Sequence, residues 1–326
     1  MIDFCVLGAG VAGSTIANLL SKKYTVEVFD KARGPGGRSS NKRLRSIASF
    51  DHGVQYFSHN TTEFKRFIRI LLKKKIIKTW DGNHLDFSFK KKINQLKYIG
   101  KIANNDICKY QLKKIKQNYF SHISKIIYKK KFWEITLKDK RKFYFRALII
   151  TCPYPQLIKL AKKYLNKKIQ NLNVKMRPNI TVMLAFKNNK KNPVSSIKFD
   201  DNILAWAANE NSKNRFKLNI NLWTLQSTVK WAEKNINIYK NEDKILNYLI
   251  LRFLKLTGYK KEDIIFKKIH GWKYSFNYSK TPLKSYWGNK YKIGICGDWF
   301  IGPKAEDAWS SSQNLYKSVK KNPLSK

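Results

Sequence analysis

The stretch Ile2-Asp3-Phe4-Cys5-Val6-Leu7-Gly8-Ala9-Gly10-Val11-Ala12-Gly13 decides the fold. A short apolar run of strand length passes at once into G-x-G-x-x-G. A helical stripe of Ala12, Ile16, Leu19 and Leu20 follows, then a second strand, Thr25-Val26-Glu27-Val28-Phe29, ending on Asp30. Strand, glycine fingerprint, helix, strand and acid in that order form a dinucleotide-binding βαβ unit.

Each residue type has a mechanical reason. Gly8 lets the chain turn off the strand, Gly10 lets backbone approach a pyrophosphate, and Gly13 lets the helix pack close to the sheet. The free N–H groups at the helix start, from Val11 and Ala12 onward, favour a doubly anionic phosphate bridge. Asp30, seventeen residues past Gly13, is placed to accept from both adenosine ribose hydroxyls, and its charge disfavours a 2′-phosphate.

The next residues choose between cofactors. Lys31-Ala32-Arg33-Gly34-Pro35-Gly36-Gly37-Arg38 supplies a second glycine pair and an arginine. Gly36 and Gly37 give backbone access to the pyrophosphate from its other side, and Arg38, with Arg43 a further candidate, gives charge-assisted hydrogen bonds. A plain NAD dehydrogenase has no need of this addition. The run resembles the flavoprotein superfamily of amine oxidases, phytoene desaturases and protoporphyrinogen oxidases. Followed by Phe50-Asp51-His52-Gly53-Val54-Gln55-Tyr56-Phe57, it is similar to the renalase branch of that superfamily.

The 326 residues can hold two cores, and 43% hydrophobic residues with 14% aromatics belong to a globular chain. No apolar run reaches the roughly 18 residues of a membrane span. Cys5, Cys108, Cys152 and Cys296 show no paired spacing; they read as small core residues in a reducing cytoplasm. The five histidines have no metal-ligand spacing, so no metal is expected. The net charge of +46 is spread along the whole chain in runs such as Lys73-Lys74-Lys75, Lys90-Lys91-Lys92 and Lys129-Lys130-Lys131. Lysine outnumbers arginine and no organised basic arm stands out, so the charge reads as compositional and no specific nucleic-acid partner is expected. Such a charge still draws anions and steers a phosphorylated substrate inward.

Further along, Glu63 to Lys74 carries a helical stripe, and Trp80 to Phe89 reads as short strands around Asp81-Gly82. Ile123 to Leu137 reads as a hairpin, and Tyr144 to Thr151 as a buried strand stopped by Cys152-Pro153-Tyr154-Pro155. Ile180–Phe186, Ile203–Ala207 and Leu218–Thr224 read as strands with one face covered and one facing a cavity. Glu242–Leu256 is an amphipathic helix closed by Gly258, and Ile264–Tyr274 returns as a strand. The closing segment supplies a third nucleotide signal. Tyr291 to Asp298 is a strand ending in Gly-Asp, followed by a helix from about Ala305. The Asp298 carboxylate can accept from a ribityl hydroxyl. The helix start, Glu306 through Ala308 to Trp309, can face the pyrimidine end of a flavin, where donors stabilise the charge of the reduced ring.

The resemblance spans Met1 to about Val319, dense at both ends and thin between Tyr164 and Glu262. It implies an α/β fold: a discontinuous Rossmann-type FAD-binding domain (1–60, 108–158 and 285–326) with an inserted β-sheet-plus-helices substrate domain (61–107 and 159–284). It implies non-covalent FAD, and oxidation of mis-reduced NAD(P)H isomers with hydride passing to flavin N5 and oxygen as acceptor. Such chemistry needs a flat substrate held against the flavin, so aromatic walls suit it. Trp272, Tyr274 and Trp223 are the candidates with Trp309, and His52 and Gln55 are polar contacts. The pattern departs from the family at Asp307, and at Ser311 or Ser312, where family members often have glycine. An acid at Asp307 would oppose reduced-flavin anion formation. Two other readings stay open: an amine oxidase or a desaturase of a hydrophobic substrate, and a non-enzymatic basic flavoprotein associated with nucleic acid. Nothing in the sequence sets the oligomeric state.

Overall fold

The computed structural model describes residues 1–87, 91–92, 96–187, 193–239 and 242–324. Parts of two expected features, Ser88-Phe89 of the Trp80–Phe89 stretch and Lys90 of its lysine run, lie outside the described residues.

An eight-stranded sheet carries the fingerprint. Its parallel centre runs, in spatial order, Lys116–Asn118, Val26–Phe29, Ile2–Leu7, the later half of Lys142–Ile150, and Ile293–Ile295. Its inner strands, Val26–Phe29, Ile2–Leu7, the later half of Lys142–Ile150 and Ile293–Ile295, are largely apolar because both faces are covered, whereas the outer strand Lys116–Asn118 is polar. One face packs the helix Val11–Leu20 and the closing helix Ala305–Lys321 through Ala12, Ile16, Leu315 and Val319. The other packs Trp133, Tyr154 and Trp299. The hairpin Ile123–Lys129/Phe132–Leu137 extends the sheet by antiparallel pairing onto the early half of Lys142–Ile150. Three separate pieces of chain therefore build one sheet.

The second sheet has seven strands, in the order Ile264–Phe276, Arg177–Phe186, Asn221–Ser227, Leu204–Asn209, Val194–Lys198, Asn83–Asp86 and Lys91–Lys92. The helices Val229–Asn235 and Glu242–Thr257 cover one face, over Val182, Leu184, Trp223 and Leu225. Against expectation, the other face is covered too. Met183, Ala185 and Leu222 lie under the hairpin Asn41–Leu44/Ala48–Asp51 through Leu44, Ala48 and Phe50. That hairpin belongs by sequence to the nucleotide-binding half, yet it rests its apolar face on the second sheet. The helix Thr62–Lys73 and the strand pair Ile77–Thr79/Tyr98–Gly100 form a separate small core of Phe57, Phe64, Ile68 and Leu71, with Trp309 packed on it. Among the described residues no helix is long and apolar enough to cross a membrane, and no cluster of His, Cys, Asp or Glu could hold a metal.

Candidate cofactor and substrate crevice

The turn between Ile2–Leu7 and Val11–Leu20 is set by steric necessity. Gly8 has φ of 109°, and a Cβ on Gly13 would lie 1.8 Å from the Gly8 carbonyl oxygen. The Gly36 N–H donates to the Ala9 carbonyl at 2.9 Å. Gly10 and Gly36 bridge in parallel, and a Cβ on Gly37 would come within 3.2 Å of the Gly10 Cα. The two glycine loops thus lie face to face, with little but backbone between them. Helix Val11–Leu20 starts at Gly10 with no side chain capping it and no acid in its first turn. Its first N–H groups and dipole therefore suit an anion.

Asp30 stands at the end of its strand, and its carboxylate already accepts from the Ala9 N–H at 2.7 Å and the Ala32 N–H at 2.8 Å. These bonds fix it against the fingerprint loop, and each oxygen keeps acceptor capacity for a ribose hydroxyl. Lys31 beside it is exposed.

Arg38 and Asp298 meet. One guanidinium nitrogen donates to Asp298 Oδ2 at 2.8 Å and to the Ser275 carbonyl at 2.8 Å, while the other pairs with Asp298 Oδ1. The loop, the edge of the second sheet and the carboxy-terminal Gly-Asp are joined at this one fork. Asp298 is buried, and in this arrangement its carboxylate orients Arg38 instead of standing free for a ribityl hydroxyl.

The closing helix engages two of its candidate side chains in capping and packing. Glu306 is turned away from the crevice, accepting from the Asn60 N–H at 2.8 Å and from the Thr61 N–H and hydroxyl at 2.7 and 2.5 Å. A carboxylate surrounded by orphan donors at the start of helix Thr62–Lys73 is best satisfied there. Trp309 stacks on Phe67 with centroids 5.5 Å apart, so it is a packing residue of that small core. Ala308 is buried on the sheet side. Asp307, at the third helical position, accepts from the Lys304 N–H at 2.9 Å and so satisfies the helix start from one side. Burial, then the negative neighbours Glu306 and Asp298, raise its pKa. The serines at the departure point have structural work. Ser311 accepts from the Gly297 N–H at 3.0 Å, and Ser312 donates to the Ala12 carbonyl at 3.0 Å.

On the substrate side, Trp272 and His52 come together. Their rings stack at 5.3 Å and 28°, and the Trp272 indole N–H donates to the His52 carbonyl at 2.9 Å. His270 meets the His52 ring edge-on at 4.9 Å. Burial, then the His270 charge, lowers the His52 pKa to about 4, so the imidazole is neutral at pH 7. The pair adjoins Arg38: a Cβ on Gly53 would meet the Arg38 carbonyl oxygen at 1.9 Å and the Trp272 ring at 3.2 Å. Tyr274 is half-buried two residues on from Trp272.

Trp223 is not at this wall. Fully buried, it packs on Phe253 and bonds the Tyr259 hydroxyl at 3.1 Å, on the helix-covered face. Strand alternation sends Thr224 and Gln226 to the crevice side instead. Gln226 donates to the Gly53 carbonyl at 2.7 Å. Trp206, opposite Gln226 in the ladder, packs on Tyr56 at 6.0 Å and keeps its indole nitrogen unpaired. Sequence reading missed both aromatics, although each falls in a motif or strand it had recognised.

Gln55 is likewise diverted. It donates to the Asp51 carbonyl and accepts from Lys213 Nζ at 3.2 Å, inside a buried ionic knot. There Lys213 Nζ lies 2.9 Å from both Asp51 and Glu210, and Arg215 bonds Asp51 at 2.5 Å. The Glu210 contact is one of charge and not of an aligned hydrogen bond. Burial opposes ionisation of Asp51, but Lys213 and Arg215 outweigh it and hold the carboxyl well below its usual range. Burial and the Asp51 charge raise the pKa of Glu210.

The residues present fit FAD: an uncapped helix start between two glycine loops, an acid at the second strand's end, and an Arg-Asp fork at the far end. Comparison with known proteins agrees. Residues 6–71 match the NAD(P)-binding Rossmann-like domain. Renalase of Mus musculus is 29% identical over 174 residues, 49% of this chain and 50% of that protein, so the match spans about half of each. The fold is shared along nearly the whole length with solved oxidase structures. A protein named protoporphyrinogen oxidase, from Exiguobacterium sp. 255-15, has a TM-score of 0.75 at 8% identity, covering 98% of this chain and 99% of its own. A putrescine oxidase variant gives 0.73 at 9%, and cyclohexylamine oxidase from Brevibacterium oxydans IH-35A gives 0.71 at 8%, each with the same coverage. The chain thus shares the fold of these solved oxidase structures along its length and carries a Rossmann-like nucleotide-binding unit in its first 71 residues.

Proposed function

We propose that this chain is a renalase-like, FAD-dependent oxidoreductase acting on a small, flat, reduced substrate of the dihydronicotinamide type. The observation that carries the reading is the Trp272–His52 stack set directly beside the Arg38–Asp298 fork and the two glycine loops. Non-covalently bound FAD would supply a two-electron acceptor for a hydride from the substrate's ring carbon, with dioxygen, reduced to hydrogen peroxide, as the co-reactant that restores it.

This chain's own part is orientation. The glycine loops and the helix start bind the pyrophosphate, Asp30 the ribose, and Arg38 the phosphate charge at the junction. Trp272, locked by its bond to the His52 carbonyl, offers a rigid flat wall, and neutral His52 adds no proton donor of usable acidity at pH 7. Tyr274 and the unpaired Trp206 indole N–H are further candidates for the substrate wall. A hydride transfer needs no strong acid or base, so a wall of aromatics suits it better than a set of carboxylates. The partial likeness to renalase favours the dihydronicotinamide class. The fold shared with putrescine and cyclohexylamine oxidases makes an amine the second reading.

The test is spectroscopic. Purified protein should carry flavin absorbance, and air-free addition of aged NADH containing dihydro isomers should bleach it rapidly. Bleaching by amines alone moves the assignment to the second reading. Colourless protein that stays so after soaking in FAD overturns it altogether.

A further inference from the structure

The hairpin Asn41–Leu44/Ala48–Asp51 lies along the edge strand Ile264–Phe276, and two rows of side chains face each other across the seam. On the strand, Phe266 and Lys268 lie opposite Ala185 and Met183, which sit in the core beneath the hairpin, so both face it. On the hairpin, Lys42 lies opposite Phe50, which stacks on Phe266 at 5.7 Å and 14°. One step along the same rows, His52 meets His270 and Trp272. Lys42 and Lys268 therefore enter one seam from its two sides, between the phenylalanine pair and the aromatic wall.

We propose that Lys42 and Lys268, with Arg33 behind them, bind a phosphate group of the substrate and so set its ring against Trp272. This rests on the redox reading above and adds to it which group of the substrate is recognised, and by what. Three positive groups crowd the seam: Lys268 and Arg33 both act electrostatically on Lys42, adding to its partial burial in lowering its pKa. None of the three side chains takes part in an ion pair or hydrogen bond among the described residues. Asp51, at the end of the hairpin, is already neutralised by Lys213 and Arg215. Like charges held together without an acid are unfavourable alone and are relieved by a multiply charged anion. Lys42 is half-buried and Lys268 and Arg33 are exposed, so the seam opens to solvent at the sheet edge. The same charges repel a substrate that enters as an ammonium ion, which separates this chain from a diamine oxidase.

The experiment uses FAD-loaded protein and two substrates that differ only in phosphate, a dihydronicotinamide mononucleotide and the corresponding riboside. Replacing both lysines (Lys42→Met, Lys268→Met) should raise the half-saturation concentration of the mononucleotide at least tenfold relative to that of the riboside. Pyrophosphate should bind the parent and lose at least tenfold in affinity in the double variant. A control that removes two remote charges (Lys244→Met, Lys255→Met) should not match either effect. Equal shifts for both substrates, or equal pyrophosphate binding in variant and control, overturn the proposal. If neither substrate bleaches the flavin, the redox reading falls, and pyrophosphate titration alone decides the anion site.

Discussion

Replacing Lys213 with methionine leaves Arg215 facing two buried carboxylates, Asp51 and Glu210. Lys213 is the cation that lies between those two acids, 2.9 Å from each. Asp51 keeps Arg215, so the uncompensated charge falls on Glu210, whose pKa is already raised. The cheapest escape is protonation of Glu210. Holding a carboxyl neutral at pH 7 when its usual pKa is about 4.3 costs about 3.7 kcal/mol, at about 1.36 kcal/mol per unit. That figure caps the charge penalty, and it agrees with the ~3–5 kcal/mol typical of breaking a buried ion pair. The cap falls with pH, to about 1 kcal/mol at pH 5. Lys213→Met should therefore lower the thermal midpoint of FAD-loaded protein by roughly 8–14 °C at pH 7, taking ~2–4 °C per kcal/mol. The loss should be much smaller at pH 5. Adding Glu210→Gln should restore most of it at pH 7. A midpoint loss that does not change with pH, or that the second substitution deepens, refutes the reasoning.

Gly10→Ala should fold normally, because its Cβ would meet nothing nearer than 3.8 Å, yet lose FAD at least tenfold in a retention assay. Gly13→Ala should instead fail in thermal unfolding, since its Cβ meets the Gly8 carbonyl oxygen at 1.8 Å. The turn residues Lys130 and Lys131 have φ of 48° and 66°, a geometry that favours Asn-Gly. Lys130→Asn with Lys131→Gly should stabilise the protein by about 1 kcal/mol in chemical denaturation. For His52, the folded pKa of about 4 lies below the unfolded value. The unfolded chain therefore binds the extra proton first, and stability falls as pH drops from about 6.5 to 4, by about 3 kcal/mol in all. His52→Phe should flatten that part of the acid limb of the pH–stability curve.

The fingerprint, Asp30 and the closing strand and helix were legible because each is a local pattern with its own steric logic. Gly8 and Gly13 need only each other, and the stop at Gly258 needs only a few neighbours. What failed needed knowledge of distant partners. Trp223 has the right residue type on the right strand, but which face of a doubly covered sheet meets the crevice depends on the hairpin at Phe50. The Glu306 side chain is likewise engaged by the N–H groups of Asn60 and Thr61, some 245 positions away, which only the folded chain brings to it. The ionic knot was invisible because Lys213 and Arg215 look like any others in a chain with 67 basic residues. The available signal was Glu210 three residues before Lys213, in a loop with no helical stripe. The Lys42–Lys268 seam joins residues more than two hundred positions apart and left no local trace.

The order in which the first sheet is stitched has a consequence for how the protein is made. Ile293–Ile295 completes the sheet beside Lys142–Ile150, and Ser312 of the last helix clasps the carbonyl of Ala12 in the first. During synthesis the fingerprint βαβ unit must wait, its flank bare, until the segment from Ile293 to Ser312 has left the ribosome. Cofactor capture is then the last act of maturation, and a nascent chain stalled before Ile293 should be recognised as unfinished and degraded.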